Sequence, residues 1–424
     1  MKTIIACLKN NPRVSDYKIN LNAKESYEAF YVKSKPETVR CTDTCDKIVT
    51  VYVDHEGFKG DSKFYVYAST TERELADLIE KAVEKASLLN NKMYLLPSEE
   101  TGEYTVDTNF SDYSLPELAQ GIGESVFAAN TRDHADLNSV EVFVNRYTET
   151  VVNSRGICKT QTRYTAMVEA IPTYNGEKES VELYQQYNFS SFDPEEVKKE
   201  IAEKLEEVIA RASAVKPDFV MDCKVILNKQ ELSQLFETIA WDLHFSTVYD
   251  QGNLFHKGDL IQENPTGDKI TITMAGSLPG NIRSACFDSD GMTLIPTKII
   301  EEGKAVAYFG DNRFGQYLEA VPTGNLRCMQ VASGTACEHC FAAAPCLEVL
   351  SMSGLQVDLF NDYIGGEIRL AIYRDGQKSI PVTGISITGS VKQILSSIRL
   401  SSELSTCDGY TGPAKAILEN MRIF

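Results

Sequence analysis

The stretch GEIRLAIYRDGQKSIPVTGISIT, residues 366–388, decides the fold class of the C-terminal half. Two runs rich in strand-forming residues, Gly366–Tyr373 and Lys378–Thr388, flank the dipeptide Asp375–Gly376. Such a dipeptide between two strand-like runs is a strong signal for a β-hairpin. Further candidate strands lie upstream, at Lys269–Ala275, Thr297–Glu301 and Ala305–Gly310. The C-terminal half is therefore predicted to be rich in antiparallel strands.

The N-terminal half shows strands followed by a helix, and it shows this order twice. In the first copy the helix begins after Thr71, which forms a capping box with Glu74. In the second copy Asp193 caps a helix whose first residue is Pro194. The candidate strands are Tyr27–Lys33, Lys47–Asp54 and Lys63–Ala68 in the first copy, and Val140–Tyr147 and Arg163–Ile171 in the second. The repetition suggests an internal duplication.

These elements predict an α+β protein without alternating βαβ units. The Pro-containing segment at residues 215–217 marks a domain boundary. Residues 1–215 are predicted to form an N-terminal domain of strands with covering helices, and residues 216–424 a β-rich domain of antiparallel strands. The polar stretch at residues 96–118, which contains two prolines and a glycine, is interpreted as a linker.

Composition limits the classes of partner. The chain has 424 residues and a formal net charge of −18, which disfavours nucleic acid or an anionic membrane as the main partner. No window approaches the run of about 20 apolar residues that a membrane helix needs, and the first residues lack the features of a secretory signal. Eleven cysteines spread over the whole chain indicate reduced thiols. We therefore expect a cytoplasmic protein.

Several motifs of the C-terminal half carry a resemblance to a known family. They are Phe287–Gly291 (FDSDG), Ile299–Tyr308, Pro322–Arg327 (PTGNLR), Gly366–Ile368 and Pro381–Gly384. In this order and spacing they resemble the C-terminal domain of the TldD/PmbA family, which has also been labelled a modulator of DNA gyrase. Residues 153–156 (NSRG) resemble a turn of the same family.

The resemblance implies a cytosolic zinc peptidase built from two related subunits. The catalytic subunit carries His-Glu-x-x-x-His on a helix and a cysteine near its C-terminus as the third ligand. Neutral imidazoles and a thiolate hold the metal and leave one position open for water. The glutamate then acts as general base on that water. The second subunit is related in sequence, lacks the motif and pairs with the first.

The corresponding helix of this chain, Glu231–Leu243, contains no histidine at the motif positions, and two registers are possible. In the first, Phe236 and Trp241 replace the histidines and Glu237 keeps the place of the base. In the second, Glu237 and Asp242 replace the histidines and Thr238 replaces the base. Neither register provides a competent zinc site, because apolar rings are not ligands and carboxylates suit harder cations.

Cys407 lies where the family has its third zinc ligand. Without the histidines it is interpreted as a retained thiol that binds no metal. The resemblance therefore implies a PmbA/TldE-like, non-catalytic subunit without a cofactor of its own, with zinc only in the catalytic paralogue. Its expected partners are a TldD-like paralogous subunit, or a second copy of itself, and a peptide substrate.

Two other groups remain as alternative metal sites. Cys337, His339 and Cys340 form a Cys-x-His-Cys cluster with Cys346 nearby, but only one Cys-x-x-Cys pair is present. This cluster is interpreted as a structural zinc site, a redox-active pair or plain reduced thiols. The second alternative is an active metallopeptidase with a non-standard site, in which His244 joins Glu237, Asp242 and Cys407.

Overall fold

The computed structural model describes residues 1–130, 132–176 and 180–424. In the N-terminal half the helices are α1 (Lys2–Asn10), α2 (Glu72–Ala86), α3 (Leu115–Ala128) and α4 (Pro194–Ser213), with a 3₁₀ turn at Asn109–Asp112. The strands of this half are β1 (Asp16–Val32), β2 (Lys35–His55), β3 (Phe58–Tyr65), β4 (Asn91–Lys92), β5 (Thr101–Thr105), β6 (Ala135–Asn153), β7 (Cys158–Asn175), β8 (Ser180–Glu182) and β9 (Gln185–Phe189).

In the C-terminal half the helices are α5 (Lys229–Asp242), α6 (Phe245–Tyr249), α7 (Asn312–Tyr317), α8 (Glu338–Ala342) and α9 (Val391–Ser397). The strands up to the long central one are β10 (Lys224–Asn228), β11 (Ile272–Ala275), β12 (Thr297–Glu301), β13 (Lys304–Ala305), β14 (Cys328–Val331), β15 (Cys346–Met352), β16 (Gln356–Asp358) and β17 (Tyr363–Arg374). The remaining strands are β18 (Ser379–Val382), β19 (Ile385–Gly389), β20 (Arg399–Leu400), β21 (Leu404–Cys407), β22 (Tyr410–Pro413), β23 (Lys415–Leu418) and β24 (Arg422–Ile423).

The N-terminal half forms one sheet in the order β4-β3-β2-β1-β6-β7-β5, with β8 and β9 also paired to β7. The two central strands, β1 and β6, pair antiparallel. On one side of this pair the chain runs α1-β1-β2-β3-α2, and on the other it runs α3-β6-β7-β8-β9-α4. Helix α1 packs on α2, and α3 packs on α4. Both sides begin and end with a helix, and the internal duplication stays a prediction.

Local signals in this half behave as the sequence predicts. The hydroxyl of Thr71 accepts from the amide of Glu74 at 3.3 Å, and the Glu74 carboxylate accepts from the amide of Thr71 at 2.8 Å, which confirms the capping box.

The segment at residues 96–118, predicted to be a linker, is instead structured. It contains β5, which pairs in parallel with β7, and the start of α3. Its polar composition arises because alternate residues of β5 are exposed.

The C-terminal half forms two further sheets around one core. One has the order β20-β23-β10-β15-β17-β19-β24, with β16 and β18 on β17, and the other has the order β13-β12-β11-β14-β22-β21. Strands β17 and β18 pair antiparallel, which confirms the hairpin at Asp375–Gly376. The candidate strand Ala305–Gly310 was predicted too long, because regular pairing there is limited to β13. The α+β fold class is confirmed.

The strands up to Phe189 belong to the first sheet, and those from Lys224 onward belong to the other two. The predicted boundary at residue 215 falls in this interval, and the independence of the two domains stays a prediction. Within the described residues, no helix is long and apolar enough to cross a membrane.

Residues 286–293, which include the FDSDG motif, attach the C-terminal half to the first sheet. The Phe287 ring is buried in a small cluster with Val151 and Ile157. Around it, the buried Lys159 of β7 donates to the Gly291 carbonyl at 3.1 Å and to Thr293 Oγ1 at 2.8 Å. An apolar anchor is therefore surrounded by hydrogen bonds that fix its position.

Asp288 joins this segment to the PTGN motif. Its carboxylate accepts from the backbone amides of Asp290 and Met292, and also from the amide of Asn325 at 3.0 Å. Burial raises the pKa of Asp288 to about 6 despite these donors. Next to Asn325, Gly324 has φ of +78°, and a Cβ there would lie 2.6 Å from Leu294 Cδ2. The motif therefore requires glycine for its backbone conformation and for space.

We expect Gly324→Ala to destabilise the fold more than Gly384→Ala. Gly384 also has a positive φ, of +66°, but a Cβ there would meet nothing within 4 Å. Both variants suffer the left-handed backbone penalty, while only the first adds a steric overlap that costs about 1–3 kcal/mol. Chemical denaturation of both variants measures the difference. Equal losses of stability would contradict the close packing of Gly324.

Candidate functional site

The exposed side of α5 borders a cleft of about 610 Å³. The α5 residues that face it are Glu237, Thr238, Ala240 and Trp241. The other lining residues come from β11, β14 and the loops after β11, after β13 and before β14, and they are Met274, Arg283, Phe309, Asn325, Leu326, Arg327 and Met329. The helix with the degenerate motif and the PTGN motif therefore meet in one cleft.

Neither register of the degenerate motif places both replacement residues in the cleft. In the first register Trp241 lines the cleft, but Phe236 is fully buried and stacks on Tyr410, with ring centroids 6.4 Å apart. In the second register Glu237 lines the cleft, but Asp242 is only 5% exposed. Each register thus has one position facing the core.

Glu237 is engaged in an ion pair. Its carboxylate lies 2.6 Å from the guanidinium of Arg283. A base or a metal ligand at this position would have to compete with that cation. Arg327, on the same cleft, is exposed and has no ion-pair partner among the described residues. The cleft therefore has an unpaired positive charge in an acidic protein.

Asp242 has a structural role. Its two carboxylate oxygens accept from the backbone amides of Leu254 at 2.7 Å and Phe255 at 2.8 Å. Burial raises the pKa of Asp242 although both amides favour the charged form. The carboxylate thus holds the chain that follows α6, and its lone pairs are directed away from a shared metal site.

His244 lies behind Trp241 and not in the cleft. Its Nδ1 accepts from the amide of Ser246 at 3.2 Å, and its ring stacks on Trp241 with centroids 4.4 Å apart. The ring is 3% exposed, and Nε2 makes no hydrogen bond within the described part of the chain. Burial lowers the pKa of His244, which favours the neutral ring. His256, further along the chain, is exposed and lies near Asp259.

Cys407 lines a different cavity, of about 220 Å³, between α4, β9 and the start of α5. Its neighbours there include Tyr187, Glu200, Lys204 and Lys229. Burial raises the pKa of Cys407 to about 12, so the thiol stays protonated at neutral pH. Since zinc binds the thiolate, this environment disfavours a ligand role.

The cysteine cluster does not form a four-ligand site. Cys337 and Cys340 lie close together, with their sulfurs 3.5 Å apart. Cys346 is buried and lies near the Phe341 carbonyl and the guanidinium of Arg374. His339 is exposed on α8. In residues 1–130, 132–176 and 180–424, no group of three or more His, Cys, Asp or Glu side chains could hold a metal ion.

The zinc centre implied by the resemblance therefore does not fit the residues of this chain. The possible donors Glu237, Asp242, His244 and Cys407 have separate environments, and each has a local partner or is buried away from the others. No reaction step through a metal is derived for them.

The sequence did not indicate all the residues of the cleft. Arg283 had no motif signal, and Asn325 and Arg327 were noted only as part of the family motif. These three residues also line a neighbouring cleft of about 470 Å³ between the first sheet and residues 282–294. The two clefts therefore share one wall, and this wall contains two arginines.

The fold places this chain among known structures. Three structures match it over 100% of its length, at 13–14% sequence identity. TldE from Thermococcus kodakarensis matches with a TM-score of 0.79 over 99% of its own chain, at 14% identity. Candidate modulators of DNA gyrase from Thermotoga maritima and Bacteroides thetaiotaomicron match with TM-scores of 0.77 and 0.75, over 99% and 97% of their chains. At this identity the likeness shows the fold alone.

A family model for the PmbA/TldA metallopeptidase C-terminal domain matches residues 221–424. The α5 cleft and the PTGN motif both lie in the matched part. Residues 221–424 are therefore similar to the metallopeptidase C-terminal domain of the PmbA/TldA family. Among proteins with curated descriptions, none matches this sequence.

Glu231, in the first turn of α5, generates a prediction on stability and pH. It is 8% exposed, and burial raises its pKa to about 7. A carboxylic acid whose folded pKa lies above its unfolded value destabilises the fold as pH rises through that interval. We therefore expect Glu231→Gln to be more stable than the natural chain at pH 8, by on the order of 1–3 kcal/mol.

This advantage of Glu231→Gln is expected to shrink as pH falls from about 7 towards 4.5, because the folded state takes up a proton at Glu231 in this interval while the unfolded chain stays largely ionised there. Denaturant unfolding at several pH values measures it. The control is Glu263→Gln, since Glu263 is exposed. An advantage that is constant with pH would exclude titration of Glu231 as its cause.

Proposed function

We propose that this chain is the non-catalytic subunit of a cytosolic peptidase complex of its family. It would pair with a TldD-like paralogue that carries the zinc motif, and it would bind short or unfolded peptides. The observation that supports this most directly is the composition of the cleft wall. Where the resemblance implies metal ligands, α5 presents a carboxylate paired with Arg283 and the ring of Trp241.

The cleft suits an extended peptide. Trp241 is 56% exposed and offers an aromatic surface, while the buried side chains of Met274, Leu326 and Met329 form an apolar floor. Arg327 is available for a peptide carboxylate, which a guanidinium binds with paired hydrogen bonds. An extended peptide of this kind can also add to an exposed sheet edge, with its main chain supplying the hydrogen bonds.

Two alternatives make different predictions. An active metallopeptidase would need Glu237, Asp242, His244 and Cys407 to approach one another, although each has its own local environment here. A stand-alone peptide-binding homodimer would use the same cleft without a catalytic partner. Neither alternative is favoured by a separate structural observation, and both are outcomes of the following experiment.

We expect the purified chain to contain no stoichiometric zinc and to cleave no peptide alone. Mixed with the paralogue of the same genome that carries His-Glu-x-x-x-His, it should form a stable complex with chelator-sensitive cleavage. Metal analysis, size-exclusion chromatography and a peptide cleavage assay measure these properties. Chelator-sensitive cleavage by the lone chain would support the active enzyme instead. Self-association without binding to the paralogue would support the homodimer.

Trp241→Ala is expected to weaken peptide binding by the complex by about tenfold, because truncating an exposed aromatic anchor typically costs at least 1 kcal/mol. Fluorescence anisotropy with a short, labelled, unstructured peptide measures the dissociation constant. Phe360→Ala is the matched control, since Phe360 is 64% exposed and does not line the cleft. Thermal melts of both variants check folding. An unchanged affinity for Trp241→Ala would place the peptide elsewhere.

A further inference from the structure

We propose that Cys337 and Cys340 form a reversible dithiol–disulfide pair that reacts with low-molecular-weight disulfides of the glutathione type. This site lies on α8 and the residue before it, and none of its residues lines the α5 cleft. The cysteine pair is therefore separate from the cleft proposed to bind peptides.

The geometry brings the two sulfurs near bonding distance. Cys337 precedes α8, and the amide of Cys340 donates to the Cys337 carbonyl at 2.8 Å, which closes the turn between them. Their sulfurs are 3.5 Å apart. A disulfide has a sulfur–sulfur distance of about 2.05 Å, so side-chain rotation of modest size joins them.

The surroundings of Cys340 favour its thiolate. The Cys337 thiol and the guanidinium of Arg399, whose Nη2 lies 3.6 Å from the sulfur, both contact it. The hydrogen bond from Cys337 is the larger cause of the lowered pKa of Cys340, and Arg399 adds to it. Lys224 holds the Cys340 carbonyl at 2.8 Å, so the segment is fixed in place. We therefore assign Cys340 as the attacking thiol.

Solvent access separates this pair from the buried cysteines, and the proximity of its two sulfurs separates it from the exposed Cys41 and Cys45. Cys337 is exposed and Cys340 is partly exposed, whereas Cys328 and Cys346 are buried. Cys41 and Cys45 are exposed on β2, but four residues along one strand separate them by about 13 Å. These two can each react with a disulfide reagent but cannot join to one another.

The reaction proceeds by two exchanges. The Cys340 thiolate attacks one sulfur of the small disulfide, forms a mixed disulfide and releases one small thiolate. The Cys337 thiolate then attacks Cys340 Sγ, forms the protein disulfide and releases the second small thiolate. The two protons of the protein thiols are transferred to the released thiolates. The protein pair is oxidised, the small disulfide is reduced to two thiols, and an excess of small thiol reverses both steps.

The experiment treats the full-length reduced chain with oxidised glutathione and maps each cysteine by mass spectrometry. We expect a Cys337–Cys340 disulfide, while Cys41 and Cys45 show only separate glutathione adducts. In Cys337→Ser the glutathione adduct should accumulate at Cys340, because no thiol is left to resolve it. Arg399→Gln should slow adduct formation at Cys340 in the Cys337→Ser background severalfold without affecting Cys41.

Glutathione adducts on Cys41 and Cys45 under conditions that leave Cys337 and Cys340 unlinked would overturn the proposal. Protection of both thiols by added zinc alone, with stoichiometric binding of the metal, would equally overturn it in favour of a metal site. Because the variants change exposed or half-exposed side chains, near-natural thermal melts are expected to show that they fold.

Discussion

The attachment of residues 286–293 to the first sheet is the constraint on which the rest of the structure depends. Phe287 supplies the apolar contact, and the buried Lys159 supplies a cation whose partners are the Gly291 carbonyl, Thr293 Oγ1 and the carboxylate of Glu100. A buried ammonium without these partners would be costly, so the two halves are held in one relative position. Asp288 then fixes Asn325 relative to this segment, because its carboxylate accepts a hydrogen bond from the Asn325 amide.

The cleft over α5 follows from that arrangement. Its wall of Arg283, Asn325 and Arg327 is shared with the cleft at the first sheet. On α5 itself, the polar groups are already engaged. Glu237 pairs with Arg283, and Asp242 holds two backbone amides. The wall also contains the exposed indole of Trp241 and the exposed guanidinium of Arg327.

Local partners also explain why the possible metal donors Asp242, His244 and Cys407 do not meet in one site. Asp242 and His244 are only two residues from each other, but a helix end separates them. Asp242 is directed towards residues 254 and 255, and His244 caps α6. Cys407 packs on the opposite side, near α4, where burial keeps it protonated. Proximity along the chain therefore indicates little about a shared site when each side chain has its own local partner.

The sequence by itself determined the elements whose cause is local. The capping box at Thr71, the N-cap at Asp193 and the hairpin at Asp375–Gly376 each depend on residues a few positions apart, and each is found in the structure. The family motifs were likewise readable, because they are short and keep their spacing. The β5 strand was missed because its partner, β7, lies more than fifty residues away and its own residues are polar.

Only the tertiary structure decided which motif residues meet. Two of these contacts join distant segments: Asp288 accepts a hydrogen bond from Asn325, and Arg283 pairs with Glu237. The packing of α5 also decides that Phe236 faces the core. They depend on how the halves dock, and no local pattern encodes that. The sequence therefore establishes that the motif histidines are missing, while the packing determines what the surface in their place can bind.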